Sequence, residues 1–163
     1  MTPGSADRLS HVAPDGTARM VDVGEKPETA RMARATGTIT MSAGALAAVV
    51  GNTIAKGDVL GVARVAGIMA AKRTADLIPL CHPLAINDVS VAFVTDSALP
   101  GVRVEAIVRS IGRTGVEMEA LAAATIALLT VYDMVKAIDK SMVLKDISLA
   151  EKTGGAGGPY ARA

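Results

Sequence analysis

Aromatic side chains are nearly missing from this 163-residue chain: there is no tryptophan, one phenylalanine and two tyrosines. Platforms that stack unpaired bases need aromatic faces, so single-stranded nucleic acid is excluded as a partner class. The same scarcity leaves the core to Ala, Val, Ile, Leu and eight Met. Small side chains bury little area each, so a chain of this size gains by burying more surface in an oligomer. Cysteine is reduced to Cys81. A disulfide framework and a multi-cysteine metal site are both out of reach within one chain, and a reducing compartment is compatible. Excess charge is missing too: 17 Lys+Arg stand against 16 Asp+Glu, a formal net charge of +1. That balance excludes a strong non-specific grip on nucleic acid. The longest apolar stretch, around Leu121 to Val131, falls short of the roughly 20 residues that span a bilayer. The polar, Pro- and Gly-rich start MTPGSADRLSHVAPDG offers no run suited to a signal peptide. The expected protein is soluble and cytoplasmic, with no nucleic-acid and no membrane partner.

What remains is the make-up of a folded domain, 50% hydrophobic and 20% charged, of a length that suits one unit. Residues 1–17 read as a mobile arm, 18–152 as a single α+β catalytic domain, and 153–163 as a flexible Gly-rich tail. Ala18 to Val23 alternates like a short strand, followed by the polar stretch GEKPETARMARA. Thr36 to Met41 is β-branched and alternating, a second strand. Ser42 is placed to cap an Ala-rich helix, and Asp58 to cap the next, which ends near Lys72-Arg73. Gly61 and Gly67 cost that helix propensity; the return expected is close approach of a neighbouring element. Pro79 and Pro83 deny Leu80-Cys81-His82 a helix interior and a central strand, so TADLIPLCHPL reads as a stiff loop. Ile86–Thr95 and Val102–Ile111 alternate around a turn and predict an antiparallel pair. A helix follows over about 116–139, then a strand over 142–150. Antiparallel strands with helices on one face make an α+β sandwich. The long helix is apolar nearly all round, which suits cover on both sides and a subunit interface.

Three segments could carry chemistry. In the first, Cys81 and His82 are neighbours whose side chains diverge, too few for a metal. They read either as a buried thiol beside a turn histidine, or as groups that two prolines hold rigid for a ligand. The second is Gly112 to Glu119, a Gly-flanked turn into a helix N-terminus, which suits an anion. It lacks the spacing and closing Lys-Ser/Thr of a P-loop. Glu117 and Glu119 there either favour the helix dipole, or one of them reads a donor-rich heterocycle edge such as a guanine-type N–H pair. The third is Asp133 and Lys136, which share a face at i,i+3. A solvated ion pair is the commonest account; at the end of an apolar helix, a cleft with Lys as proton donor or phosphate contact is the other. Lys56, Lys72-Arg73 and Lys152 sit at further breaks. A Lys-rich set with His and carboxylates fits a phosphorylated small molecule. Glu119 and Asp133 lie 14 residues apart on one helix, about 21 Å. If both serve one site, that site draws them from different chains.

The motifs ARMVDV (18–23), KGDVLGVARVAGIMAAKRTADLIPLCHPL (56–84), TGVEMEAL (114–121), TVYDMVKAIDK (130–140) and the KTGG near the C-terminus occur in this order. Together they resemble the cyclic pyranopterin monophosphate synthase family, molybdenum-cofactor biosynthesis protein C. The resemblance covers nearly the whole chain beyond the first dozen residues. It implies a pyrophosphate-releasing lyase that rearranges 3′,8-cyclo-7,8-dihydro-GTP to the tricyclic pyranopterin with a cyclic phosphate. It implies a ferredoxin-like antiparallel sheet packed against helices, assembled as a homo-hexamer, a trimer of dimers, with sites between subunits. The family's catalytic aspartate falls on Asp133 and its lysines on Lys56 and Lys136. Its substrate-binding loop falls on Leu80, Cys81 and His82, and its Met-Glu pair on Met118 and Glu119. Lys72, Arg73 and His82 are candidate triphosphate contacts. No residue set demands a resident cofactor; magnesium could accompany the triphosphate.

One departure touches the tail. Family members often carry a further Lys or Ser there, in a KSGGKSG-like pattern, where this chain has KTGGAGG over 152–158. If the tail closes over phosphate, Lys152 serves alone. Val135, where a Cys is common, reads as a packing change. The competing classes are a non-catalytic nucleotide- or pterin-binding module of the same fold, and a scaffold subunit.

Overall fold

The fold is that of a computed structural model, which describes residues 15–163. The arm expected over 1–17 lies outside the described residues as far as residue 14. The elements run β1 (Thr29–Thr40), α1 (Ala43–Val50), α2 (Val59–Lys72), α3 (Thr74–Leu77), β2 (Ile86–Asp96), β3 (Gly101–Gly112), α4 (Glu117–Val135), β4 (Val143–Thr153) and β5 (Tyr160–Ala161). The strands form one sheet in the order β2-β3-β1-β4-β5, antiparallel at every junction.

Period-two alternation decides which face of the sheet is buried. Ala33, Ala35 and Ile39 of β1, Val91 of β2, and Val102, Val104, Ala106 and Val108 of β3 join one core cluster. α4 packs on β1, β3 and β4, and α2 packs on α4 and β2. The opposite face carries ion pairs instead: Arg34 with Glu105 and Glu151, Arg103 with Asp96, Arg109 with Asp88.

The expected helix caps are present. Ser42 accepts from the Ala45 N–H and Asp58 from the Gly61 N–H, each worth about 1 kcal/mol to its helix. Gly67 has the expected close neighbour: a Cβ there would come within 2.9 Å of the Ala123 carbonyl oxygen on α4. Gly61 does not. A side chain there would meet the capping carboxylate of Asp58, so the first turn needs the glycine rather than a neighbouring helix.

Other expectations are corrected. Ala18–Val23 forms no strand beyond a single bridge at Ala18; the segment lies against the Cys81-His82 loop instead, where Val21 accepts a hydrogen bond from His82. β1 begins at Thr29, seven residues before Thr36. Its polar side chains, Arg31 and Arg34, find partners beside the sheet or on its open face, while Ala33 and Ala35 fill the core. The stretch before Pro79 holds the one-turn helix α3, tied down by the buried Thr74 hydroxyl on the carbonyls of Ala70 and Ala71. α4 stops at Val135 rather than 139, and β4 runs on to Thr153. The Gly-rich tail orders against β4, not by itself, as Tyr160 and Ala161 pair with Lys152 and Glu151.

By length and composition α4 could cross a bilayer, yet half of that window is buried inside this fold. It is the core helix, and Ala120, Ala123, Ala124, Ala127, Leu128 and Val131 are fully buried.

Candidate active site

The C-terminal end of α4 carries a cluster of three charged side chains. Lys56 sits in the turn between α1 and α2, next to Gly57, whose φ of +92° a larger residue would resist. Its ammonium reaches across to α4 and donates to Asp133 Oδ2 at 2.8 Å and to the Asp133 carbonyl at 2.9 Å. Lys136 takes the other carboxylate oxygen, Oδ1, at 2.6 Å. The hydrogen bonds from Lys136 and Lys56 hold the Asp133 carboxyl down at about 2, and the same carboxylate raises the Lys136 ammonium above its ordinary value. All three side chains are about half exposed. The arrangement keeps an anion between two cations at neutral pH, open to an incoming ligand.

A second carboxyl lies at the other end of the helix in the opposite condition. Glu119 is 2% exposed. Burial raises its carboxyl, and Glu117 nearby adds to the rise. The Cys81 thiol donates to Oε1 at 3.5 Å, while Oε2 has no hydrogen-bond partner among the described residues. Burial, followed by the charge of Glu119, pushes the Cys81 thiol up to about 11. A cavity of about 270 Å³ opens here, with Leu80, Cys81, His82, Met118 and Glu119 in its wall. His82 Nε2 lies 2.7 Å from the Val21 carbonyl, so the 18–23 segment closes one side.

Next to it lies a smaller hollow of about 180 Å³, which shares Lys26, Thr114, Gly115 and Glu117 with the first. Arg31, Arg113 and Lys152 complete a cationic wall around the tail glycines. Arg31 donates to the Gly112 and Arg113 carbonyls, Arg113 donates to the Gly24 carbonyl, and Lys152 pairs with Glu117 at 3.0 Å. The tail bends over Arg31 through Gly154 and Gly155, at φ +87° and +85°; a Cβ on Gly155 would strike the Arg31 guanidinium. Lys152 is therefore not alone beside the tail. Lys26, Arg31 and Arg113 escaped sequence reasoning because they sit in or beside the early part of β1 and the β3–α4 turn, where no charge cluster stands out. Their shared signal is cations flanking two segments that end at glycine-rich turns.

Residues 20–155 match the MoaC family model. The chain belongs to the MoaC family. It is 59% identical over 152 residues to a protein of Cereibacter sphaeroides, covering 93% of this chain and 96% of that one. It is 57% identical over 152 residues to one from Dinoroseobacter shibae, with the same coverage. A protein of Brucella ovis is 54% identical over 154 residues, covering 94% of this chain and 93% of that one. All three are named cyclic pyranopterin monophosphate synthase.

Against this membership, the fold sorts the expected residues into two groups. Lys56, Asp133 and Lys136 converge. Leu80, Cys81, His82, Met118, Glu119 and Glu117 line one cavity, with Lys152 at its neighbour. Lys72 joins neither; it borders a separate hollow with Ile68 and Asp88. Arg73 is exposed at the end of α2. Among the described residues, no three His, Cys, Asp or Glu side chains converge to hold a metal ion. The groups flank opposite ends of α4, and within one protomer they do not meet.

Proposed function

We propose that this chain is a cyclic pyranopterin monophosphate synthase, a lyase of molybdenum-cofactor biosynthesis. It converts 3′,8-cyclo-7,8-dihydro-GTP to cyclic pyranopterin monophosphate and releases pyrophosphate. The observation that carries the reading is Asp133 held between the Lys56 and Lys136 ammoniums. Imidazole-ring opening breaks a C–N bond and pterin-ring formation makes one; both need protons moved to and from nitrogen, and Lys136 is a charged donor beside a carboxylate that stays ionised. Attack on the α-phosphorus expels pyrophosphate, whose charge the lysines offset. The cavity at Glu119 takes the heterocycle, and the cationic hollow beside it takes phosphate. Magnesium enters, on this reading, with the triphosphate.

The two ends of α4 then serve one reaction from two copies of the chain. Supporting this, α2 exposes Val62, Val65 and Met69 at i, i+3 and i+7, and α4 exposes Leu129, all about half exposed. Such a stripe suits burial against another copy. We read the assembly as a soluble, cytoplasmic homo-hexamer, a trimer of dimers. The βαββαβ succession with strand order β2-β3-β1-β4 supports a ferredoxin-like reading.

The test is incubation of the purified protein with 3′,8-cyclo-7,8-dihydro-GTP, followed by phosphorus NMR. Pyrophosphate and a cyclic phosphodiester are expected, both lost in Lys56→Ala. Binding without turnover would favour a binding module instead.

A further inference from the structure

Glu119 reaches its cavity with its two oxygens in different states. Oε1 is occupied by the Cys81 thiol at 3.5 Å. Oε2 is shielded from water and has no partner among the described residues. A buried acceptor left open is costly, so its open state points to a bond completed by a ligand. The environment also restricts what Cys81 can do. His82, its sequence neighbour, directs Nε2 to the Val21 carbonyl rather than to sulfur. The thiol keeps its proton, because burial and Glu119 both disfavour the thiolate. Its other acceptor, the His82 carbonyl, is farther at 3.8 Å. A thiol that burial and a neighbouring carboxyl both keep protonated acts as a hydrogen-bond donor rather than as a nucleophile.

We propose that Cys81 is a positioning residue: its thiol holds one oxygen of Glu119 so that the other, Oε2, is presented to an N–H on the edge of the bound heterocycle. This rests on the reading of the Glu119 cavity as the heterocycle site. A carboxyl free to rotate would divide its time between orientations, and only some of them aim Oε2 at that donor. The thiol supplies the restraint without adding a charge that the buried site would have to compensate. Specificity for a 2-amino, N–H-bearing ring then depends on both residues, although Cys81 itself makes no demand on that edge.

The experiment compares binding of GTP with that of inosine triphosphate, which lacks the exocyclic amine, by calorimetry on the intact oligomer. The wild-type protein favours GTP. Glu119→Gln removes most of that preference. Cys81→Ala reduces it about three- to tenfold, and Cys81→Ser, which keeps a donor, restores part of it. If Glu119→Gln collapses the preference while Cys81→Ala leaves it whole, the positioning role is overturned and the heterocycle reading stands. If neither variant changes the ratio, the heterocycle reading falls, and the positioning role with it. A second readout needs no variant of Cys81. It is the chain's one thiol, so its S–H infrared band is unambiguous. A hydrogen-bonded band that moves when GTP binds, and moves again in Glu119→Ala, supports the proposal; a free-thiol band overturns it.

Discussion

At the C-terminal end of α4, a carboxylate stands in the open between two ammonium groups; at the N-terminal end, another lies buried with one oxygen unpartnered. Asp133 is driven down to about 2 and Glu119 is pushed up. The same chemical group is thus prepared in opposite ways on one helix. Ionised and exposed, it organises cations that move protons or meet phosphate. Buried and raised, it is suited to reading hydrogen-bond donors on a ring. The helix between them is mostly Ala and Leu, and it keeps the two jobs about 21 Å apart.

The comparison breaks first at the lysines. Lys56→Ala and Lys136→Ala are each expected to lower turnover by about 10²–10⁴-fold, the usual span for a positioned acid or base. Circular dichroism and oligomer mass stay unchanged, because all three side chains are half exposed and hold no core. A loss of fold instead would make the cluster structural. At the other end, Glu119→Gln is expected to raise KM about ten- to a hundredfold, the worth of one charged hydrogen bond, with kcat much less affected. Equal loss in kcat would erase the division between the two ends.

Smaller effects sharpen the picture. Arg31→Ala is expected to weaken triphosphate binding by about tenfold or less, as for a half-exposed ion contact. Binding of a free guanosine measured beside it stays constant, since Arg31 lines only the cationic hollow. The smallest effect concerns acid. Asp133 and Asp139 are both held near 2, the latter by Ser141 and the Ser42 N–H. Their folded values lie below the ordinary 3.8. The stability they contribute is therefore present above about pH 4 and lost as pH falls toward 2. Thermal melts over that window should show a steep decline that Asp139→Asn flattens; an unchanged profile would place the acid lability elsewhere.

How much of this was legible in the chain follows from where each signal sits. Local signals read well. Ser42 and Asp58 announced their helices, alternation announced β2 and β3, and the i,i+3 spacing placed Asp133 with Lys136. β1 was half read because its first turns alternate Ala with Arg, a pattern whose burial depends on partners 71 and 117 residues away, Glu105 and Glu151. Ala18–Val23 alternates like a strand, but a histidine from a distant loop claims its carbonyl. The Lys56–Asp133 bond spans 77 residues; their joint catalytic role came from the family resemblance, and no spacing rule would have paired them. The cationic hollow was the least legible part, since three of its cations come from separate segments joined only by folding.

The central claim is that the two ends of α4 complete one site from two chains. The direct measurement mixes Asp133→Asn and Glu119→Ala by co-refolding and follows pyrophosphate release at a substrate level well below the raised KM of the Glu119 variant, where neither variant alone turns over appreciably. In a mixed symmetric pair, one site receives both substitutions and the other receives neither, so about a quarter of all sites should recover. Recovery of that size is the predicted result. A mixture that stays inactive at every ratio would show that each chain keeps its own site, and would contradict the account.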